Sequence, residues 1–243
     1  VDGEPFILEH FLSGLTGDLY DASFTFLGGS FSFTDANLPY TLTLHQNLTR
    51  LDDDTMYYLD ATGTWKAQRT GVTKNVNGLF WGGENLVGVG SKGLIVRSVG
   101  DAWASQESGV REDLRAVHGA GSEIVAVGDL GNMTHWDGFR WQPIASPTVS
   151  DLRSVWLASP TEGWAVGAYA TLHLQNGTWT AFPGAAAVRN LFGVWGFAAN
   201  DVWAVGASGT ILRWDGIAWN SIVSGTNLGL RAVWGAAPDD VWF

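Results

Sequence analysis

The sequence predicts an all-β fold built from one repeated unit, because two columns of residues recur in phase along the chain. The first column is tryptophan, at nearly constant intervals: Trp65, Trp103, Trp141, Trp179 and Trp219. The second column is glycine, at the same interval: Gly90, Gly128, Gly167 and Gly206. A period of roughly 40 residues is typical of solenoids, propellers and arrays, in which each repeat is one supersecondary unit.

Each regular unit is predicted to contain four short strands. The best-formed unit has four apolar runs rich in Val, Ile and Trp, bounded by Gly, Asp, Asn or Ser: 191–196, 201–206, 209–214 and 219–222. Such runs are typical of strands joined by hairpins. Both faces of the second run carry large residues, with Trp203 and Val205 on one face and Val202 on the other. A four-stranded sheet covered on both faces by copies of itself predicts a β-propeller blade, with the tryptophan columns packed between blades.

We expect a single β-propeller domain over residues 1–243, with six four-stranded blades and seven as the alternative. The predicted divisions are a closing strand segment at 1–18, an irregular first blade with an insertion at 19–76, regular blades at 77–113, 114–151, 152–190 and 191–229, and a partial blade at 230–243. Residues 6–10 resemble a third strand and are expected to complete the partial blade. Closure of this kind removes exposed sheet edges.

Composition narrows the classes of partner. The formal net charge is -11, which disfavours nucleic acids and anionic lipid surfaces. The chain has no Cys, so neither disulfides nor thiolate metal sites are expected. Long apolar runs are absent from the sequence, and no membrane insertion is expected.

The repeats resemble those of a family of β-propellers from secreted and surface proteins of bacteria. The motifs that carry the resemblance, over residues 77–243, are Leu230-Arg231-Ala232-Val233-Trp234-Gly235, Asp201-Val202-Trp203-Ala204-Val205-Gly206 and Gly209-Thr210-Ile211-Leu212-Arg213-Trp214-Asp215-Gly216. The family is more distantly similar to the Asp-box repeats of sialidases and to lectin propellers. In this chain the Asp137-Gly138 turn lacks the spacer residue of an Asp box. The resemblance implies a secreted or cell-envelope binding propeller.

We therefore expect a non-enzymatic propeller that binds a glycan or a partner protein through exposed aromatic and polar groups. A tryptophan ring can stack on a sugar while carboxylate or guanidinium groups bond its hydroxyls. The candidate ligand-binding residues lie at two hairpin tips: Trp136, Asp137, Arg140, Arg213, Trp214 and Asp215. The alternatives are a sialidase-like glycoside hydrolase and a structural or scaffolding module of a larger bacterial envelope protein.

No catalytic motif, metal site or cofactor is predicted. Neither a Gly-x-Ser-x-Gly elbow nor a His-Glu-x-x-His pair is present. Gly88-Val89-Gly90-Ser91-Lys92-Gly93 matches a dinucleotide pattern, but the same positions recur in other units, which indicates a repeat turn. The five histidines lack metal spacing, and Asp52-Asp53-Asp54 is expected to be a solvated turn, with a calcium site as the alternative.

One further column contains arginine. Arg115, Arg153 and Arg231 fall at the same position of the first strand in three units. We expect them to pair with the acidic residues that open the second strand: Glu123, Glu162, Asp201 and Asp240. The alternative is that they clamp a ligand carboxylate, and the sialidase-like hypothesis rests on it.

Overall fold

The computed structural model describes residues 48–50, 55–59, 64–69, 71–81, 85–100, 102–184 and 189–243. These residues form strands joined by turns and short 3-10 segments. None of the helical segments in these ranges has the length and hydropathy of a membrane span. Among the described residues, most of 56–68 belongs to one compact unit and 71–243 belongs to another.

Three strands precede the regular repeats. They are β1 (Leu48–Arg50), β2 (Thr55–Leu59) and β3 (Trp65–Arg69). The segment 6–10, which is predicted to close a ring, and Asp52-Asp53-Asp54 both lie outside the described residues. Ring closure and the number of blades therefore stay predictions.

Four four-stranded antiparallel sheets follow in series, and their strands are ordered as in the chain. The first contains β4 (Val76–Trp81), β5 (Leu86–Gly90), β6 (Leu94–Val99) and β7 (Ala102–Gln106). The second contains β8 (Leu114–Ala120), β9 (Glu123–Gly128), β10 (Met133–Trp136) and β11 (Trp141–Pro143). The third contains β12 (Leu152–Ser159), β13 (Glu162–Gly167), β14 (Thr171–Gln175) and β15 (Thr178–Ala181). The fourth contains β16 (Leu191–Ala198), β17 (Asp201–Gly206), β18 (Ile211–Trp214) and β19 (Trp219–Ile222). The predicted four-stranded repeat is confirmed, and a two-stranded sheet of β20 (Trp234–Ala237) and β21 (Asp240–Trp242) comes last.

The glycine column ends the second strand of each of these four sheets. A Cβ added at Gly128 would meet the carbonyl oxygen of Asp113, the residue before β8, at 2.0 Å. The same contact recurs at the other members of the column: Gly90, Gly167 and Gly206. This close approach of two backbones explains the recurring glycine. The dinucleotide-like pattern at 88–93 is one copy of this strand end, and it leads into a three-residue 3-10 turn and β6 rather than an α-helix.

The core lies between successive sheets. Val125 and Met133 of the second sheet share one cluster with Leu152, Leu172 and Trp179 of the third. Three members of the tryptophan column are buried, which confirms their packing role: Trp141, Trp179 and Trp219.

The first strands of neighbouring sheets lie side by side. The hydroxyl of Ser154 accepts a hydrogen bond from the amide of Val194 in the next sheet, at 3.1 Å. A Cβ added at Gly78 would lie 3.1 Å from the Cα of Ala116, so the strands also approach closely. An aromatic column runs across these strands, with ring centroids 5.1 Å apart for Phe80 and His118, 6.4 Å for His118 and Trp156, and 6.4 Å for Trp195 and Trp234.

Candidate functional site

The candidate Asp137 is a turn-forming residue. Its Oδ1 accepts hydrogen bonds from the amides of Phe139 and Arg140, at 2.8 and 2.9 Å, and its Oδ2 accepts one from Gln142 Nε2 at 3.1 Å. These bonds stabilise the ionised carboxyl and lower the pKa of Asp137 to about 2. The carboxylate therefore fixes the hairpin between β10 and β11.

Asp215 repeats this arrangement between β18 and β19. Its Oδ1 accepts from the amides of Ile217 and Ala218, both at 2.8 Å, and its Oδ2 accepts from Asn220 Nδ2 at 2.8 Å. Backbone hydrogen bonds from Ala218 and Ile217 lower the pKa of Asp215 as well. Both hairpin tips thus share one sequence pattern, Asp-Gly-x-x-Trp followed by Gln or Asn.

The two candidate tryptophans present little ring surface. Trp214 is only 6 % exposed and packs against Trp164, with ring centroids 4.9 Å apart. Trp136 is half-buried, and the Arg97 guanidinium lies 4.9 Å from its ring centre. The ring of Trp214 therefore offers no face on which a sugar could stack, and Trp136 already stacks with a cation.

The two candidate arginines differ in how firmly they are held. Three quarters of the Arg140 side chain is exposed, and its Nε lies 4.0 Å from Asp137 Oδ2. Arg213 Nε donates to Asp201 Oδ1 at 2.8 Å, while its guanidinium lies 4.9 Å from the ring centre of Trp203. The hydrogen bond to Asp201 raises the pKa of Arg213. Because only Nε donates to a described residue, the terminal N–H groups of Arg213 remain for a ligand.

The expected pairing of the arginine column with the acidic column is wrong. The acidic residues instead pair across to the third strand, as Glu123 with His135 at 2.8 Å, Glu162 with His173 at 2.5 Å and Asp201 with Arg213 at 2.8 Å. Asp240 Oδ1 accepts from Trp242 Nε1 at 2.7 Å.

The strand register explains this outcome. Glu123 lies opposite Ala120, at the far end of β8 from Arg115. Five residues of strand separate them, or about 16 Å at roughly 3.3 Å per residue. Arg115 instead forms salt bridges with Asp129, at 2.5 Å, and Asp113, at 3.7 Å.

One shallow depression brings two candidate residues together. It has a volume of about 400 Å³, opens to solvent, and is lined by Asn200, Arg213, Asp215, Asn220 and Ile222. Trp136, Asp137 and Arg140 belong to a different sheet, so the six candidates do not form one site. The repeat columns did not indicate Asn200 or Ile222, whereas Asn220 follows the column tryptophan as Gln142 does.

The geometry shows no metal cluster in the part of the chain that the structure describes. There, no three His, Asp or Glu residues are grouped so that they could hold a metal ion. His135 and His173 each pair with a glutamate, and His118 Nδ1 accepts from the amide of Leu157 at 3.1 Å.

Comparison with known proteins identifies the fold. No protein-family model matches the sequence, and no curated protein matches it. Virginiamycin B lyase from Staphylococcus aureus matches with a TM-score of 0.69 and 14 % identity, over 81 % of this chain and 72 % of that chain. A streptogramin B lyase structure matches with a TM-score of 0.68 and 10 % identity, over 81 % of this chain and 71 % of that chain. The WD40 β-propeller domain of Doa1 matches with a TM-score of 0.61 and 11 % identity, over 76 % of this chain and 66 % of that chain. The present chain therefore spans just under two thirds of the length of the Doa1 domain.

The fold is a β-propeller. At these identities the matches show the fold alone, since propellers carry unrelated functions. The four-stranded sheets are its blades, and their adjacent first strands are the innermost ones. The depression lies in the 191–222 blade, at the outer hairpin between β18 and β19.

Proposed function

We propose that this chain is a non-enzymatic binding propeller that recognises a partner protein at the depression of the 191–222 blade. The proposal rests on one observation: hydrogen-bonding groups and exposed aliphatic side chains lie together at this depression. Arg213, Asp215 and the amides of Asn200 and Asn220 supply donors and acceptors. Ile222 lines the depression, and Ile217 and Val223 beside it are almost fully exposed. Exposed apolar residues next to polar groups are typical of protein interfaces.

The charge of the site favours a neutral or basic partner surface. Arg213 is paired with Asp201, which leaves the ionised Asp215 without a described counter-ion at a salt-bridge distance. The whole chain has a net charge of -11. Association with a basic partner should therefore accelerate at low ionic strength.

The ionised state of Asp215 in the depression favours a binding function over hydrolysis. A glycosidase general acid needs a raised pKa so that it holds a proton at neutral pH. Hydrogen bonds from the turn lower the pKa of Asp215 instead. An ionised, turn-bound carboxylate suits the acceptance of hydrogen bonds from a ligand.

Carbohydrate is the second candidate ligand, because two amides, a guanidinium and a carboxylate around an open depression also suit sugar hydroxyls. The buried Trp214 ring weakens this candidate because it leaves no stacking surface. A secreted or cell-envelope location in a bacterium is proposed from the resemblance of the repeats, as is the alternative of a scaffolding role.

A parallel screen on a peptide array and a glycan array tests the proposal. We expect peptide ligands whose binding is lost in Asn200→Ala and Arg213→Gln. The matched control is Ser122→Ala, since Ser122 occupies the position of Asn200 in the 114–143 blade and is also exposed. Glycan hits that depend on Asn200 would favour the second candidate. Hits that persist in both variants would place binding elsewhere and contradict the proposal.

A further inference from the structure

Two residues of the arginine column, Arg115 and Arg153, occupy β-bulges at the start of innermost strands. In each of the four blades, the first strand pairs with the second strand in a register that skips one residue. The skipped residue is the second residue of the first strand. The skipped residues are Asn77, Arg115, Arg153 and Phe192, and Arg231 holds the same place in the next repeat. A bulge leaves its extra residue outside the ladder and redirects its side chain, and bulges are frequent beside functional sites.

These bulges face one another because the innermost strands are adjacent. Asn77 Nδ2 donates to the carbonyl of Leu114 in the next blade at 2.8 Å. A Cβ added at Gly193, the residue after Phe192, would lie 3.3 Å from the Cα of Ala232, the residue after Arg231. The bulged side chains of successive repeats therefore share one rim around the axis.

Two arginines converge on one aromatic ring of this rim. The Cζ of Arg153 lies 5.0 Å from the ring centre of Phe192, and the Cζ of Arg231 lies 4.6 Å from it. Both guanidinium groups thus contact the same ring. Arg153 Nη1 also donates to Asn190 Oδ1. The ring positions both cations and the Asn190 amide also holds Arg153, so less side-chain entropy remains to be lost on binding.

Neither cation has a carboxylate partner among the described residues. Arg115 on the same rim is neutralised by Asp129, but the residue that corresponds to Asp129 beside Arg153 is Ala168. Asp151, two residues before Arg153, instead accepts a hydrogen bond from the amide of Leu130. Two like charges therefore lie close together, in a chain whose net charge is -11. An anion bound beside them would relieve their repulsion.

We propose that Arg153 and Arg231, positioned by Phe192, bind a carboxylate group of a ligand at the axial rim of the propeller. A planar carboxylate accepts paired hydrogen bonds from a guanidinium fork, and two forks are available. The source of the carboxylate is an acidic sugar or a free organic acid. Arg153 lies on an innermost strand and Arg231 lies just before β20, whereas the depression lies at an outer hairpin, so the two proposals stand independently.

Calorimetric titration with D-galacturonate and with D-galactose tests the carboxylate site, because the two sugars differ at the carboxylate position alone. At low ionic strength we expect galacturonate to bind and galactose to give no heat. Binding of acetate as well would identify any organic acid as a sufficient ligand, and binding of galacturonate without acetate would identify the acidic sugar. Binding of galactose 6-phosphate in place of galacturonate would overturn the assignment to carboxylate.

Variants locate the site. Arg231→Gln should weaken galacturonate binding about tenfold or more, the usual effect of losing a charged hydrogen bond. Phe192→Leu keeps an apolar side chain but removes the ring that positions both guanidinium groups, and should weaken binding less.

Arg111→Gln, at an exposed arginine outside the rim, is the matched control and should bind as the wild type does. Equal weakening by Arg111→Gln, or no binding by the wild type at millimolar galacturonate, would overturn the proposal. Arg231 is exposed, so its variant should fold as the wild type does.

Discussion

The indole of Trp164 stacks on the imidazole of His173, with ring centroids 4.0 Å apart and ring planes inclined by 10°. The two residues are direct neighbours across β13 and β14. The same imidazole bonds Glu162 through Nε2, and the indole also packs edge-on against Trp219 in the next blade. One cross-strand pair thus connects the acidic column, the third strand and the packing between blades.

Replacing Trp164 by Ala should lower the free energy of unfolding by about 3–5 kcal/mol, because Trp164 is fully buried. Urea denaturation measures the change. Trp141→Ala and Trp179→Ala should fall in the same range. Phe139→Ala, at a residue 90 % exposed, is the control and should change stability by less than about 0.5 kcal/mol. A loss for Trp164→Ala no larger than that for Phe139→Ala would contradict the packing described.

Acid should destabilise the fold through His118. Burial lowers the pKa of His118 from 6.5 to about 4. Between these values the unfolded chain binds a proton at this imidazole that the folded chain does not, so stability falls as pH decreases from about 6.5 to 4. The loss at pH 4 reaches about 3 kcal/mol at roughly 1.4 kcal/mol per pKa unit.

His118→Gln keeps a hydrogen-bond acceptor for the amide of Leu157 but does not titrate. Its stability measured by urea denaturation should therefore vary less between neutral pH and mildly acidic pH than that of the wild type. Parallel pH profiles for the two proteins would show that His118 is not the source of the acid sensitivity.

Asp137 should stabilise the turn through hydrogen bonds that its ionised carboxylate accepts more strongly than a neutral group would. Asp137→Asn keeps an oxygen that can accept from the amides of Phe139 and Arg140, whereas Asp137→Ala removes every side-chain bond of the turn. Thermal melting should therefore rank the wild type first, Asp137→Asn second and Asp137→Ala last, because the Asn variant keeps an acceptor but loses the charge. If Asp137→Ala melts as late as the wild type, the side-chain bonds do not stabilise the hairpin and the assignment to the turn fails.

The periodic columns were sufficient to predict the architecture. Glycine at Gly128 is required by a close backbone contact that recurs in the four regular blades, and tryptophan at Trp141 by packing that recurs as well. Because the same backbone contact and the same packing recur in each blade, the same residue types recur at the same positions. The period in the sequence therefore indicates one repeated four-stranded unit.

The same columns could not predict which side chains meet. Glu123 and Arg115 belong to the same hairpin, but antiparallel pairing places them at opposite ends of it, and a bulge redirects the arginine. Trp214 follows Arg213 in the chain, yet packing between blades covers its ring. Asn200 belongs to no column, because the equivalent position of the 114–143 blade is Ser122.

Mapping a bound ligand on the chain tests whether the depression of the 191–222 blade is the binding site. A peptide taken from the array screen is titrated into isotope-labelled protein, and the backbone and side-chain amide shifts are followed. We expect the largest changes on the side-chain amides of Asn200 and Asn220 and on the backbone of 215–223, while the 114–143 blade stays unchanged. Shifts confined to other blades, with Asn200 and Asn220 unaffected at saturation, would contradict this expectation.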